Sequence, residues 1–497
     1  MTDPADKEGE RALADDVETL HRLGYEQELQ RSMGAFSNFA ISLSVVCILA
    51  GGVTSFHVGL CSVGGASIGL GWPLCCLFSL LVALTMGQVA SAFPTAGGLY
   101  HWAAILGGRG WGWATAWFNL AGLVTVLAAI NFGAYEFVLA ALGYRPEQFP
   151  LAVPVIVMVL LTGSQAAFNH RGIRVTTRLT DFSGWWILLV SAALVVALLL
   201  TARHLDLTRL VSFDNFSGLP PGKDAEVWPR TNNLAVLFLL GLLLPAYTLT
   251  GFDASAHTAE ETLGAAVNVP RGIVRSVLVS GAFGWVMLAA VVVAAPDLRG
   301  AALQGKGAFV WIIGGVLPRP AALALFAAVA VAQYLCGLAT VTSASRMAYA
   351  FARDGGLPFS GLLRRVSPAH RTPACAVWAV SAFAVLFTVY AEVYETIAAV
   401  CAVFLYVSYV LPTALGLLAH GRTWTRMGPW HLGRWYRPLA LLSVAGCVVL
   451  FGIAVQAPNE KVGWIVGGAV LLLAAFWFGY ARRRFRGPPV VLVGREK

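Results

Sequence analysis

The chain has 497 residues, 58% of them hydrophobic and 12% charged, with a formal net charge of +9. A soluble protein carries roughly 25% charged residues, so this composition excludes a soluble globular domain and reads as a polytopic membrane protein. The positive balance is not a nucleic-acid signature, because the basic residues sit mostly in short loops between apolar runs, where the positive-inside rule puts them.

Residues 1–35 are hydrophilic and mostly acidic, with no basic n-region leading to a small-residue cleavage site; they are expected to form a cytoplasmic N-terminal segment. Twelve apolar segments follow, at 36–58, 70–93, 111–141, 151–168, 181–202, 233–263, 272–295, 319–352, 374–391, 395–419, 437–456 and 462–482. Each is long enough for a crossing of ~20 residues, and the third, sixth and eighth exceed a perpendicular crossing, which calls for tilting, breaking or protrusion. Arginines fill one set of connections (Arg171, Arg174 and Arg178; Arg271 and Arg275; Arg353, Arg364, Arg365 and Arg371) and the tail, while the short loops 59–69, 143–150 and 392–394 hold only Arg145 among them. Both termini are therefore expected in the cytoplasm of a cell-membrane protein. Residues 203–232 read as an extracellular loop, and 307–317 (GAFVWIIGGVL), too short to span, as a lid on the outer face.

Two segments are interrupted. The first carries Ala50-Gly51-Gly52-Val53-Thr54, and the sixth carries Thr250-Gly251-Phe252-Asp253 within GLLLPAYTLTGFDASAHTAEET (241–262). Glycine with polar neighbours at membrane depth marks a broken helix, tolerable in hydrocarbon only when packed in protein or lining a watery cavity. Five segments lie in 36–202 and five in 233–419, so two odd-numbered units in series must insert in opposite senses. Broken helices at matching positions of inverted halves point to a midplane binding site. The expectation is an all-α fold with a five-plus-five inverted repeat, helices 11 and 12 (420–482) peripheral, and a cytoplasmic tail at 483–497.

The first break offers the amides of Gly51, Gly52 and Val53 at the start of a half-helix, an anion site that suits a carboxylate; a glycine–glycine packing contact is the plainer alternative. The second break offers carbonyls near Tyr247, Thr248 and Thr250 to a substrate ammonium. Asp253 either caps the second half-helix or contacts substrate or proton directly. His57 and His257, each following a break, either titrate or make structural hydrogen bonds. Glu260 and Glu261 are expected to pair with nearby arginines such as Arg271. The eight cysteines lack C-x-x-C or Cys/His metal spacing and read as buried free thiols. Gly300–Lys306 (GAALQGK) imitates a phosphate loop but lacks the following Ser or Thr and any preceding strand. No hydrolase motif is present; neither metal, cofactor nor nucleic acid is expected, and the protein is not read as an enzyme.

Five stretches carry a family resemblance: LGYEQELQRSMGAFSNFAIS (23–42), ASAFPTAGGLYHWAA (90–104), NHRGIRVTTRLTDFSGWW (169–186), GFDASAHTAEET (251–262) and SRMAYAFARDGGLP (345–358). The chain resembles the amino acid–polyamine–organocation superfamily, most of all its amino acid/choline branch, which includes GABA permeases and bidirectional amino acid transporters. Gln88 departs from that pattern, since many relatives have an acid before the ASAFPTAGG stretch. The resemblance implies a LeuT-type fold, a substrate held between helices 1 and 6, and alternating access. It further implies Phe252 as a gate or wall over the ligand, and Arg31 with Asp354 as a cytoplasmic gate pair. Asn119, Gln333 and Tyr406 place hydrogen-bonding groups on helices expected to face the core bundle, as substrate contacts or as interhelical bonds. Sodium-driven relatives would use hydroxyls such as Ser183 and Thr340, and some proton-linked relatives a helix 5 lysine, which is missing here; Lys223 and Lys306 lie in outer loops. The expected function is secondary active transport of an amino acid or GABA-like zwitterion, with choline or polyamine transport, or a transporter-like sensor, as alternatives. The partners are the substrate, a coupling proton or sodium ion, and the lipid bilayer.

Overall fold

The structure, a computed structural model, describes residues 4–144, 148–150, 152–222, 225–390, 394–456 and 459–489. Arg145, Lys223, residues 392 and 393, and the tail from 490 lie outside them. A polar helix, α1 (Pro4–Arg22), comes first. The first apolar run forms three pieces, α2 (Ala35–Val46), α3 (Gly51–Thr54) and α4 (Phe56–Val63), and α4 stops at Gly64 with φ 66°. Then come α5 (Trp72–Ala92), α6 (Leu99–Gly107), α7 (Arg109–Leu142), α8 (Ala152–His170) and α9 (Ile173–Thr201). Helix α7 ends at Gly143 in the left-handed conformation that a C-terminal glycine adopts without a Cβ penalty.

The sixth run is also in pieces: α10 (Leu234–Gly241), α11 (Leu243–Thr248) and α12 (Ala254–His257). Asn233 starts it, accepting from the Val236 amide at 3.2 Å as a side-chain cap. Beyond lie α13 (Ala265–Ala294), α14 (Leu298–Ala302), α15 (Ala308–Val316), α16 (Arg319–Arg353) and α17 (Ser360–Leu363). The chain closes with α18 (Ala374–Tyr390), α19 (Tyr394–Ala419), α20 (Tyr436–Ala454) and α21 (Glu460–Phe476).

Among the described residues ten helices are long and apolar enough to cross a membrane. The expected segment 233–263 falls short because it is broken, leaving Leu234–Thr248, and the expected 374–391 runs up to residues that lie outside the described ones. Helix α9 starts at Ile173 rather than 181, since Arg174, Arg178 and Asp181 continue the helix as a polar extension. Helices α1 and α6 have no counterpart among the apolar segments, because neither is a long hydrophobic run.

The packing repeats itself. Helix α5 packs on α13, α7 on α16 and α8 on α18, each pairing corresponding members of the two five-helix units. Helix α7 also meets α19, as α16 meets α9, and α7 meets α18 as α16 meets α8, the contacts a two-fold exchange of the units would generate. Short helices occupy the same slot in both units: α6 between its second and third spans, α14 and α15 in the second. Helix α15 lies on α4, where Phe309 meets Phe56 edge-on with centroids 6.1 Å apart. Inside, Trp72, Trp113, Tyr349, Tyr409, Phe252 and Phe351 are fully buried, so large rings fill the bundle interior.

Candidate functional site

At the first break the chain leaves helical geometry at Cys47 (φ 18°, ψ 87°). The Ala50 and Gly51 amides both turn back to the Cys47 carbonyl, at 2.8 and 3.1 Å. The expectation that Gly51 offers a free amide is thereby corrected: a tight turn consumes it. Gly52 and Val53 donate to no carbonyl among the described residues, and the half-helix resumes with Thr54 bonding Ala50. The Thr54 hydroxyl also folds back onto the Ala50 carbonyl at 2.8 Å.

At the second break Leu249 bonds Pro245, Thr250 bonds Tyr247, and the chain then turns at Gly251 with φ +88°, a conformation open to glycine at little cost. The Tyr247 carbonyl is occupied by the Thr250 amide and, at 2.8 Å, by the Thr250 hydroxyl. The Thr248 and Thr250 carbonyls accept nothing from the described residues. The two breaks touch reciprocally: a Cβ on Gly51 would stand 2.9 Å from Thr248 Cα, and one on Gly251 would stand 2.3 Å from Val45 Cγ1. Each glycine lets its half of the repeat lie directly against the other half's broken helix.

Asp253 does not cap α12. Its own backbone is already helical (φ −71°, ψ −8°), which leaves the carboxylate unable to reach the amides ahead, and Ser42 Oγ takes the Ser255 amide instead at 2.8 Å. The Asp253 carboxylate turns sideways, accepting from the Tyr409 hydroxyl at 2.8 Å and from Asn119 Nδ2 at 3.1 Å, and meeting His257 Nε2 at 3.1 Å. The Tyr409 oxygen in turn accepts the Gly251 amide at 3.0 Å, so one phenol ties the turn of the break to its carboxylate. Phe252 is fully buried against the Tyr409 ring, with centroids 4.9 Å apart, and its carbonyl accepts from Ser42 at 2.8 Å. Asn119 also donates to Ser408 at 3.2 Å. Gln333 reaches the Leu49 carbonyl at 3.4 Å, and Tyr406 donates to the Ala246 carbonyl at 3.3 Å. Asn119 and Tyr406 thus tie the second break to α7 and α19, and Gln333 ties the first to α16, while the Asn119 and Gln333 carbonyl oxygens remain buried without a partner.

Tyr409 is the residue sequence reasoning missed. The signal was there: Tyr406, chosen for its hydroxyl, lies three residues earlier and hence on the same face of α19.

No hydrogen bond joins the candidate ion residues among the described residues. Ser183 Oγ is buried without a partner, and Thr340 donates to the Cys336 carbonyl at 2.9 Å.

At the end of the bundle that carries the N-terminus, Arg31 and Asp354 do not pair. Arg31 donates to the Ala259 carbonyl at 3.0 Å, to that of Thr262 and to Gln27, and faces Asp16 at 3.5 Å. Asp354 accepts from Tyr25 at 2.8 Å and Tyr100 at 2.7 Å, with His101 Nε2 at 3.2 Å. Nearer partners satisfy each group. Glu260 and Glu261 also choose partners other than Arg271, which is exposed: Glu260 binds Arg353 in a two-pronged pair at 2.8 and 2.9 Å, and Glu261 binds Arg346 at 2.9 and 3.1 Å. Such forked pairs fit the planar guanidinium. The N-terminal segment straps this end shut. Asp16 accepts the amides of Gly264 (2.7 Å) and Ala265 (3.0 Å) at the start of α13, while Ser32 and Met33 donate their amides to the Glu261 carbonyl. Burial, reinforced by the Asp354 charge, pushes the Tyr25 phenol well above its usual range.

The sequence from 33 to 476 matches the family model described as amino acid permease. Amino-acid permease BAT1 of Arabidopsis thaliana is 31% identical to the chain, over 94% of this chain and 95% of that protein. The GABA-specific permease of Saccharomyces cerevisiae is 27% identical (95% of this chain, 86% of that protein). A Candida albicans protein named for polyamine transport is also 27% identical (96% and 90%). With its multiple apolar helices and paired breaks, the chain belongs to the amino acid permease family of the amino acid–polyamine–organocation superfamily, and it is a transporter of amino acids or related amines rather than an enzyme.

Proposed function

We propose that the protein is a secondary active permease of the cell membrane with twelve crossings and cytoplasmic termini, moving a zwitterion by alternating access. The observation that carries this reading is the reciprocal contact of the breaks, with Gly51 on Thr248 and Gly251 on Val45. The Gly52 and Val53 amides lie on one side of that contact and the Thr248 and Thr250 carbonyls on the other, the polarity that an amino acid's carboxylate and ammonium need. Ala50 to Thr54, Tyr247, Thr248 and Thr250 to Asp253 form the walls of the site; Asn119, Gln333 and Tyr406 span it. Phe252 shields it. The paired glutamates and arginines beneath, with Arg31 and Asp354 each held by the strap, form the cytoplasmic gate in its closed state. Movement of substrate inward then requires these pairs to separate, and an ion gradient, of protons or sodium, supplies the drive.

The test is uptake into liposomes containing the purified full-length chain, with labelled alanine, glutamate, arginine, GABA, choline and putrescine offered separately. Accumulation or counterflow of a zwitterion is the expected result. Uptake of putrescine or choline alone would move the reading to the cationic branch, and movement of none would overturn it.

A further inference from the structure

The ring of His257 lies between two acceptors. Its Nε2 is 3.1 Å from Asp253 Oδ2, and its Nδ1 is 3.4 Å from the carbonyl oxygen of Ala96. A neutral imidazole has one N–H and one lone pair. Beside an ionised carboxylate, one of these two contacts would therefore set lone pair against lone pair. Both become hydrogen bonds only when the pair holds one further proton, as imidazolium beside carboxylate or as neutral imidazole beside carboxylic acid.

The surroundings offer no other charge to the pair. From α19 the facing titratable group is Tyr409, with Tyr406 behind it at 5.6 Å between centroids; α7 presents Asn119, and α2 presents Ser42 and Asn38, with Cys47 at its end. The turn before α6 presents Thr95, bonded to His101, which itself meets Asp354. Arg346 and Arg353 of α16 are each bound to Glu261 and Glu260, which follow α12. Among the described residues, His257 is the only cationic partner within ion-pair distance of Asp253.

We propose that Asp253 and His257 together form a proton-binding site, loaded in the closed form described here and wired to the cytoplasmic gate through the Ala96 peptide. This rests on the permease reading above and names the proton as its coupled ion. The wire is a single residue and its two flanking peptides: the Ala96 carbonyl faces His257, and the Ala96 amide donates to Glu260 Oε1 at 3.0 Å, the carboxylate that holds Arg353. When the proton leaves, the Nδ1 contact turns from attraction to repulsion and pushes on the residue whose amide anchors the gate. A second proton, taken from the opposite side of the membrane, reloads the pair as the gate recloses, so one proton crosses in each cycle and none is consumed chemically.

Two measurements on the full-length protein test this. In liposomes, an imposed inward proton gradient should raise uptake of whichever labelled compound of the panel is moved by about tenfold over uptake without a gradient, the scale of a typical coupling energy. In Asp253→Asn and His257→Gln that ratio should fall to about one. A ratio unchanged in both variants, or a wild-type ratio of one with exchange intact, overturns the proton site and leaves the permease reading standing. Infrared difference spectra of substrate-free protein between about pH 5 and about pH 9 give the second readout. One proton should be lost from the pair, with the bands absent in either variant, and this holds even if no panel compound moves. Identical spectra in wild type and His257→Gln would overturn the proposal, whether or not Asp253→Asn folds.

Discussion

The two breaks at the centre and the seal at the N-terminal end of the bundle are built on opposite plans. At the centre, backbone meets backbone across glycine, and buried polar atoms such as the Asn119 and Gln333 carbonyl oxygens lack partners. At the seal, Arg346 meets Glu261 prong for prong with both wholly buried, and its remaining nitrogen donates to Ser345. A fully satisfied ion pair holds one arrangement firmly, whereas unsatisfied backbone groups accept more than one partner. On the proposed reading, the first plan suits binding and the second suits latching.

Removing one member of the buried latch should have the largest effect. Arg346→Met leaves Glu261 unpaired in a fully buried site and should cost about 3–5 kcal/mol. A lower thermal unfolding midpoint in detergent, with Glu261→Gln/Arg346→Met less affected than the single change, would sharpen the comparison; an unchanged midpoint would break it. Next comes Gly251→Ala, which places a Cβ on Val45 at φ +88° and should cost about 1–3 kcal/mol through strain and overlap. Val45→Ala should restore only part of the lost uptake, because it relieves the overlap and not the backbone. Asp16→Ala removes the cap from the α13 amides and should cost about 1 kcal/mol. Faster amide exchange at Gly264 and Ala265 is the readout; unchanged exchange would argue that the strap is passive. The smallest effect is expected from Tyr25→Phe, which removes one of the three groups on Asp354 at about 0.5–1.5 kcal/mol. Its signature should be a shift toward labelling of cysteines placed at the mouth of this end of the bundle, with little change in stability.

Much of this was legible in the sequence because helices in lipid must be apolar and unbroken unless something interrupts them. Gly51-Gly52 and Thr250-Gly251-Phe252-Asp253 stood out for that reason, and the paired contacts of α5 with α13 and α7 with α16 follow the repeat the segment count suggested. Partner choice was not legible. Arg31, Arg346 and Arg353 are equivalent as residue types, and only the fold decides that the last two take Glu261 and Glu260 while Arg31 goes to backbone carbonyls. Asp253 misled for a related reason: Asp before a short helix has the composition of a cap, and its helical φ and ψ, which rule that out, are invisible in the chain's letters. Gln88 shows the reverse. Where many relatives have an acid, its amide oxygen accepts the Leu432 amide at 2.8 Å, fastening the connection before α20, a job a neutral side chain does well.

The strap has a consequence for biosynthesis. Residues 13–33 leave the ribosome well before their partners do: Asp16 waits for Gly264, 248 positions later, and Tyr25 for Asp354, 329 positions later. Contacts so distant along the chain form late. The newborn polypeptide therefore passes through insertion with this end of the bundle unlatched, and the bolt slides home only when α16 has been made.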